Sequence, residues 1–399
     1  MHVAIIGAGQ AGAALAAKLR GLGHAGPVTL IGDEPVAPYQ RPPLSKAYLL
    51  GELPLDRLLL RAPDFWAAHD IRLVTGAAVT AVDTGAGTLT VGSETLGWDH
   101  LAFTTGARVR RLPDAIGGGL GGVHYVRTLA DVDGMAPEFA PGRRVLIVGG
   151  GYIGLEAAAV AARKGLAVTL VEAAPRILQR VAAPETSDWF RDLHTRHGVT
   201  ILEGTGLARL TGTDQVTGAD LADGRQIPCD FAIIGVGILP ETALAEAAGL
   251  ALDNGIATDA HGGTSVPGVW AAGDCASFPH QGGRLRLESV PGAIDMAECV
   301  AENILGAARS YVPKPWFWSD QYDIKLQIAG LNTGYDRVVL RDGGAARSHW
   351  YFAGDRLLAV DAMNDPRAFM IARRLIEAGR TVVPALVSNP ATELKTLMA

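Results

Sequence analysis

The chain has 399 residues, enough for two or three domains of ordinary size. Its net charge of −6 excludes a global basic field for nucleic acid, so any basic docking surface is local. Three widely spaced cysteines, Cys229, Cys275 and Cys299, form no CxxC or CxxxxC pattern, which argues against a disulfide framework, a redox-active pair and an iron–sulfur or zinc cluster.

Residues 2–6 read as a buried strand, 10–22 as a helix and 28–32 as a second strand ending at Asp33-Glu34. Between the first strand and the helix stands Gly7-Ala8-Gly9-Gln10-Ala11-Gly12, a dinucleotide-binding fingerprint in full context. The first glycine makes the tight turn, the second lets backbone approach a pyrophosphate, and the third lets helix pack on strand. Short β-type segments follow from Ile71 to Leu101, then Leu101-Ala102-Phe103-Thr104-Thr105-Gly106-Ala107 reads as a buried strand ending in a turn. The run Gly117-Gly118-Gly119-Leu120-Gly121-Gly122 lacks a leading strand and reads as a flexible connection.

A second βαβ unit spans 145–148, 153–164 and 167–171 and ends at Glu172. It carries a second fingerprint, Gly149-Gly150-Gly151-Tyr152-Ile153-Gly154. Two such sites imply two dinucleotides with electrons passing between them. Residues 227–238 contain another buried strand, 241–249 a helix, 269–274 a strand running into Gly273-Asp274, and 291–309 an amphipathic helix. Composition changes at Ser310–Pro315, beyond which a hairpin (348–352 and 357–360) and a helix over 367–378 capped by Asn364-Asp365-Pro366 are expected. The fold class is α/β, with two Rossmann-like dinucleotide-binding domains plus a C-terminal α+β domain. The domains are 1–110 with 240–310, then 111–239 inserted into it, then 311–399. No basic n-region and no run of 18 apolar residues occurs, so a soluble, cytoplasmic protein without a membrane anchor is expected.

Beyond the fingerprints, Arg41-Pro42-Pro43-Leu44-Ser45-Lys46, Thr105-Gly106-Ala107, Gly273-Asp274, Trp316-Phe317-Trp318-Ser319-Asp320-Gln321 and the closing Asn389-Pro390-Ala391-Thr392-Glu393-Leu394-Lys395 occur in order. With this set the chain resembles, from end to end, the bacterial ferredoxin reductases of the putidaredoxin-reductase and Rieske-dioxygenase-reductase type. The fingerprints specify only the glutathione-reductase-like superfamily; the Arg-Pro-Pro-Leu-Ser-Lys and Trp-Ser-Asp-Gln segments are more specific.

The resemblance implies FAD on Gly7, Gly9 and Gly12, with Glu34 accepting from the adenosine ribose and Asp33 ranked behind it. It places Arg41 and Arg127 toward the AMP or pyrophosphate, Asp274 toward the ribityl chain or a phosphate-side hydroxyl, and Val290 at the flavin edge. NADH falls to Gly149, Gly151, Gly154 and Glu172, because a carboxylate at that strand end accepts a 2′-hydroxyl and repels a 2′-phosphate. Arg176, four residues on, weakens that preference slightly. Lys46 and Glu156 are implied as a charged pair near the flavin N5 edge, gating nicotinamide approach, and Trp318 as lining the electron exit. Glu156 also reads as a carboxylate favouring its helix dipole at the helix start.

The segment Ser289-Val290-Pro291-Gly292-Ala293 departs from the Trp-x-Asn pattern common in Rieske-type members: Val290 replaces the Trp and Gly292 the Asn. That tilts the reading to the haem-thiolate-monooxygenase branch. The implied activity is NADH:ferredoxin oxidoreduction, hydride passing to FAD and single electrons to a [2Fe–2S] ferredoxin. Ferredoxins of this kind are usually acidic, so docking calls for local basic residues, with Arg57, Arg61, Arg309, Lys314, Arg337, Arg341, Arg373 and Arg374 available. The rivals are a Rieske-type dioxygenase reductase, an NADH oxidase or peroxidase, and an FAD/NADH redox sensor or scaffold. An oxidase or peroxidase of this superfamily uses a cysteine near the flavin; none comes soon after the Arg-Pro-Pro-Leu-Ser-Lys segment, and Cys275, just after Asp274, looks structural.

Overall fold

The computed structural model describes residues 1–398. The elements that position functional residues are, in chain order, β1 (Val3–Ile6), α1 (Gln10–Gly21), β2 (Val28–Ile31), β3 (Ile71–Val74), β4 (His100–Phe103), β5 (Val123–His124), β6 (Arg144–Val148), α2 (Tyr152–Arg163), β7 (Ala167–Glu172) and α3 (Pro184–Arg196). They continue with β8 (Thr200–Glu203), β9 (Phe231–Ile234), β10 (Val269–Ala271), α4 (Val290–Ile304), β11 (Trp316–Gln321), β12 (Ile324–Gly330), β13 (Arg337–Asp342), β14 (Arg347–Ala353), β15 (Arg356–Met363) and α5 (Pro366–Glu377). Two compact units result: residues 1–40, 55–108 and 238–315 in the first, and 41–54, 109–237 and 316 onward in the second.

The first unit is built on a parallel sheet in the order β10-β4-β1-β2-β3. Val3, Ala4, Ile5 and Ile6 are all buried, as expected of a central parallel strand covered on both faces. Ala11, Leu15, Ala16 and Leu19 turn the apolar face of α1 inward. Its outer edge is tied to α4 by Lys18, whose Nζ lies 3.3 Å from Glu298 and 3.1 Å from Glu302. The sequence predicts α4 to run to 309, but it stops at Ile304. Gly306 there adopts a φ of +91°, and the Asn303 side chain captures the Arg309 backbone, its Nδ2 donating to the carbonyl and its Oδ1 accepting from the amide. A local side-chain alternative to the helical ladder ends the helix.

The second unit holds a parallel sheet, β8-β7-β6-β9-β5, and an antiparallel one, β11-β12-β15-β14-β13. Helix α5 starts where Asp365 accepts from Ala368 N at 3.0 Å, with Pro366 in its first turn. It lays Phe369, Ala372 and Leu375 onto Trp350 and Phe352 of the antiparallel sheet. The grouping differs from the sequence reading in two places. Residues 41–54 join the second unit, where Tyr48 donates to Asp133 at 2.7 Å and Glu52 pairs with Arg163 at 2.8 Å. The C-terminal α+β layer shares that unit: the Ala183 amide, just before α3, donates to the buried Tyr351 hydroxyl at 3.0 Å. The glycine run 117–122 is not a loose connection. A Cβ at Gly118 would lie 2.1 Å from the Leu112 carbonyl oxygen, and one at Gly121 would lie 2.3 Å from the Gln215 amide. Among the described residues no helix is long and apolar enough to cross a membrane.

Candidate functional site

In the first unit, Gly7 turns the chain with φ +108°, and a Cβ there would lie 2.2 Å from the Thr104 carbonyl oxygen. The Thr104 hydroxyl sits 2.8 Å from the Gly7 carbonyl, so β4 braces the turn. A Cβ at Gly12 would meet the Gly7 carbonyl at 2.0 Å, which is why helix and strand can approach so closely. Gly9 differs from both, having no heavy atom within 4 Å of a Cβ position. It is the N-cap of α1, whose first turn has no side-chain cap and no acidic residue. Packed first and third glycines, an open second and a helix start without a side-chain cap fit a bound pyrophosphate.

Glu34 in the same unit accepts from the Tyr39 hydroxyl at 2.6 Å and is half-buried, while Asp33 is exposed. Asp274 follows Gly273, whose φ is +80° and whose Cβ position lies 3.0 Å from the Ala11 methyl, and Arg286 donates to the Asp274 carbonyl at 3.0 Å. Val290 is the first residue of α4, half-buried, behind a Ser289 cap that accepts from Gly292 N at 3.2 Å. An asparagine in place of Gly292 would bring a Cβ to 3.0 Å from that capping hydroxyl, so Gly292 here suits the cap.

The second glycine turn, in the second unit, repeats the geometry. Gly149 has φ +110° with a Cβ position 2.3 Å from the Gly235 carbonyl oxygen; the Cβ position of Gly154 is 2.1 Å from the Gly149 carbonyl oxygen; Gly151 is open. Gly151 caps α2, again with no side-chain cap and no acid in the first turn. Glu172 ends β7 beside this turn, with one carboxylate oxygen accepting from Gly150 N at 2.6 Å and the other from Ala174 N at 2.7 Å. Arg176 is occupied elsewhere: its guanidinium donates to the Ser187 hydroxyl of α3 and to the Gln179 carbonyl.

Helix α2 begins at Tyr152, so Glu156 falls in its second turn and is 1% exposed, too deep to serve the helix start as the dipole reading expected. Its carboxylate is instead the centre of a polar cluster. Lys46 Nζ lies 2.7 Å from Oε2, Ser45 Oγ donates to the same oxygen at 2.6 Å, and Ser319 Oγ donates to Oε1 at 2.6 Å. The 3₁₀ turn Pro42–Ser45 delivers Ser45 and Lys46 to this place, the two prolines at its start fixing φ. A buried charge held by an ammonium and two hydroxyls is the arrangement that offsets desolvation.

Other expected site residues in the second unit are placed as follows. Arg41 donates to the Arg127 carbonyl at 2.6 Å, so the two arginines are neighbours. On β11 alternate residues face opposite ways. Trp316 and Trp318 lie on one side with tilted rings 5.5 Å apart and Phe369 beyond Trp316, and Phe317 meets Tyr152 of α2 at 4.9 Å on the other. Trp318 is half-buried.

Among the basic residues proposed for docking, Arg341 is excluded: it donates to the carbonyls of Val387, Asn389, Pro390 and Thr392 and clamps the C-terminal segment. Arg309 pairs with Glu302 and Arg373 with Glu377, whereas Arg57, Lys314 and Arg374 are exposed. All three cysteines are buried, and burial raises each thiol, Cys229 to about 11. Sequence reasoning missed the contacts of Ser45 and Ser319 with Glu156, although both sit inside the specific segments, which were the available signal.

A family model described as pyridine nucleotide-disulphide oxidoreductase matches residues 1–297, and one described as reductase C-terminal matches residues 316–398. The chain is 43% identical over 404 residues to a ferredoxin–NAD(P)(+) reductase of Sphingomonas sp., covering 99% of this chain and 97% of that protein. It is 40% identical over 409 residues to putidaredoxin reductase of Pseudomonas putida, covering 100% and 97%. The solved structure of a covalent putidaredoxin reductase–putidaredoxin complex aligns with a TM-score of 0.95 at 39% identity, covering 100% of this chain and 98% of that one.

Proposed function

Because the chain belongs to the pyridine nucleotide-disulphide oxidoreductase family, we propose that it is the NADH-dependent, FAD-containing reductase of a [2Fe–2S] ferredoxin serving a haem-thiolate monooxygenase. The chain is an oxidoreductase using FAD and NAD(H). The observation that carries the finer reading is the pairing of Lys46 with the buried Glu156 carboxylate in a chain with two open second glycines, together with similarity along its whole length to reductases named for a ferredoxin and for putidaredoxin. When bound, FAD accepts a hydride from NADH and releases its electrons singly, which suits a one-electron iron–sulfur acceptor.

In this reading the roles of the residues divide as follows. Gly7, Gly9, Gly12, Glu34, Asp274 and Val290 belong to the first unit and hold FAD, with Arg41 and Arg127 facing the AMP or pyrophosphate portion of FAD. Gly149, Gly151, Gly154 and Glu172 hold NADH on residues 111–239, and the C-terminal domain contributes Trp318. Glu172 accepts the 2′-hydroxyl. Lys46 and Glu156 set polarity and gate the nicotinamide; neither is required as a general acid or base. The buried, raised thiols leave no reactive cysteine for oxidase or peroxidase chemistry of the thiol type. The same reading puts the protein in the cytoplasm, where NADH is supplied.

The test is NADH-driven cytochrome c reduction with and without a small [2Fe–2S] ferredoxin. A large ferredoxin-dependent rate that falls with added salt is expected. Oxygen consumption without a ferredoxin effect overturns the reading in favour of an oxidase, and no NADH oxidation with any acceptor favours a sensor or scaffold.

A further inference from the structure

Ser319 does not end the polar contacts that reach Glu156. Its hydroxyl, which donates to the carboxylate, itself accepts from Gln321 Nε2 at 3.1 Å. Gln321 is two residues on along β11 and therefore on the same face. Its Oε1 lies 2.8 Å from Nε2 of His194, near the end of α3. The other ring nitrogen, Nδ1, lies 3.1 Å from the Tyr322 hydroxyl. An amide oxygen only accepts, so Nε2 of His194 carries its proton and Nδ1 receives one from Tyr322. Burial also holds His194 neutral, lowering it to about 4. Every donor in the series Tyr322, His194, Gln321, Ser319 therefore points one way, toward Glu156.

The outer end is held at a cost. Tyr322 occupies the left-handed region, φ 56°, in the two-residue turn between β11 and β12, a position that favours glycine or asparagine. Its ring stacks on His197 at 3.7 Å. Ser319, Gln321 and His194 are all at most 1% exposed. The charged and titratable groups around the series are Lys46 and Tyr152 beside Glu156, and His197 and Tyr322 beside His194.

We infer that Gln321 and His194 are positioning residues for the Lys46–Glu156 pair, acting through Ser319 as one polarised unit. A hydrogen-bonded series with all donors aligned strengthens each member and fixes the last acceptor. Glu156 is thereby held with one oxygen turned to Ser319 and the other to Lys46. The inference rests on the assignment of that pair to the nicotinamide site, but its test does not need a ferredoxin.

The test is competitive acetylation of lysines in the FAD-loaded protein, with the labelling rate of Lys46 read by mass spectrometry against the remaining lysines as internal controls. The variants are Ser319→Ala, the near-isosteric Gln321→Met and their double, with Glu156→Gln as the ceiling. Each single change is expected to raise Lys46 labelling at least about twofold, the lower end for coupled neighbours, and the double no more than the larger single. The same variants should slow flavin reduction by NADH without raising KM in proportion. Unchanged Lys46 labelling in Gln321→Met, or effects that multiply in the double, overturns the inference. Failure of the ferredoxin assay in the unmodified protein, with the labelling pattern intact, would instead strike the functional reading.

Discussion

Lys46 and Glu156 meet at 2.7 Å although one follows directly on a 3₁₀ turn and the other lies in the second turn of a helix, and the carboxylate is almost wholly buried. Removing one partner of a buried pair leaves an uncompensated charge, at a cost of about 3–5 kcal/mol when both are fully enclosed. Lys46 keeps some solvent access, 15%, so Glu156→Ala should cost less than that range. The expected outcome is a folded yellow protein that retains FAD and is reduced slowly by NADH, read by stopped-flow bleaching of the flavin. Unchanged reduction kinetics would remove the pair from the reaction.

The glycines of each fingerprint separate into structural and open positions. Gly12→Ala and Gly154→Ala drive a methyl into a carbonyl oxygen at about 2 Å, so the helix must move off its strand. Overpacking of this kind costs about 1–3 kcal/mol or more, and a lower melting temperature is expected even without ligand. Gly9→Ala and Gly151→Ala have backbone angles any residue adopts and nothing within 4 Å, so the melting temperature of the ligand-free protein should not change. Their effect should fall on ligands alone: weaker FAD retention for Gly9→Ala and a raised KM for NADH for Gly151→Ala. A stability loss in either open-glycine variant would contradict the cradle assignment.

The two βαβ units were legible because each is a short apolar run, a glycine turn and an alanine-rich helix, signals that are local and periodic. The approach of Lys46 to Glu156 has no such signal and entered only through family resemblance. Gln321 and His194 were not readable at all, because their meeting depends on how α3 lies against β11, a tertiary relationship. Arg341 shows the converse: on sequence it is a surface cation, yet the C-terminal segment folds back so that four carbonyls take its guanidinium. The end of α4 was misplaced for a similar reason, since Asn303 competes with the helix only once Arg309 has come round to it.

Nucleotide preference turns on Glu172 and Arg176. Glu172 is held against the glycine turn by two backbone amides, and Arg176 is drawn toward α3, away from a phosphate-binding role. Replacing Glu172 by alanine removes the charge that repels a 2′-phosphate and the acceptor for a 2′-hydroxyl. The NADH to NADPH ratio of kcat/KM should fall by at least about tenfold, the loss of a charged hydrogen bond at roughly 1.5–3 kcal/mol. Steady-state kinetics with both nucleotides checks this. The KM for NADH should rise as well, because Gly150 loses its brace.

Acid stability of the second unit should be governed by buried histidines. His349 on β14 is fully buried, with Nδ1 2.7 Å from the Thr186 hydroxyl of α3, and burial lowers it to about 4. His194 is lowered to a similar value, also mainly by burial. A histidine whose folded value is depressed contributes stability that is present above its ordinary value of about 6.5 and is lost as pH falls toward 4. Asp361, beside the same Thr186, is raised to about 6 by burial and acts oppositely, favouring the folded state as pH falls from 6 to 4. Two histidines against one aspartate leave a net loss on acidification, since each shift of a pH unit is about 1.4 kcal/mol. Melting temperature should therefore decline from pH 6.5 to pH 4. His349→Asn, which keeps a donor for Thr186 but does not titrate, should flatten that decline. Asp361→Asn should raise the melting temperature at pH 7 and steepen the decline below pH 6. A His349→Asn profile parallel to that of the unmodified protein would show that this buried histidine takes no part in acid unfolding.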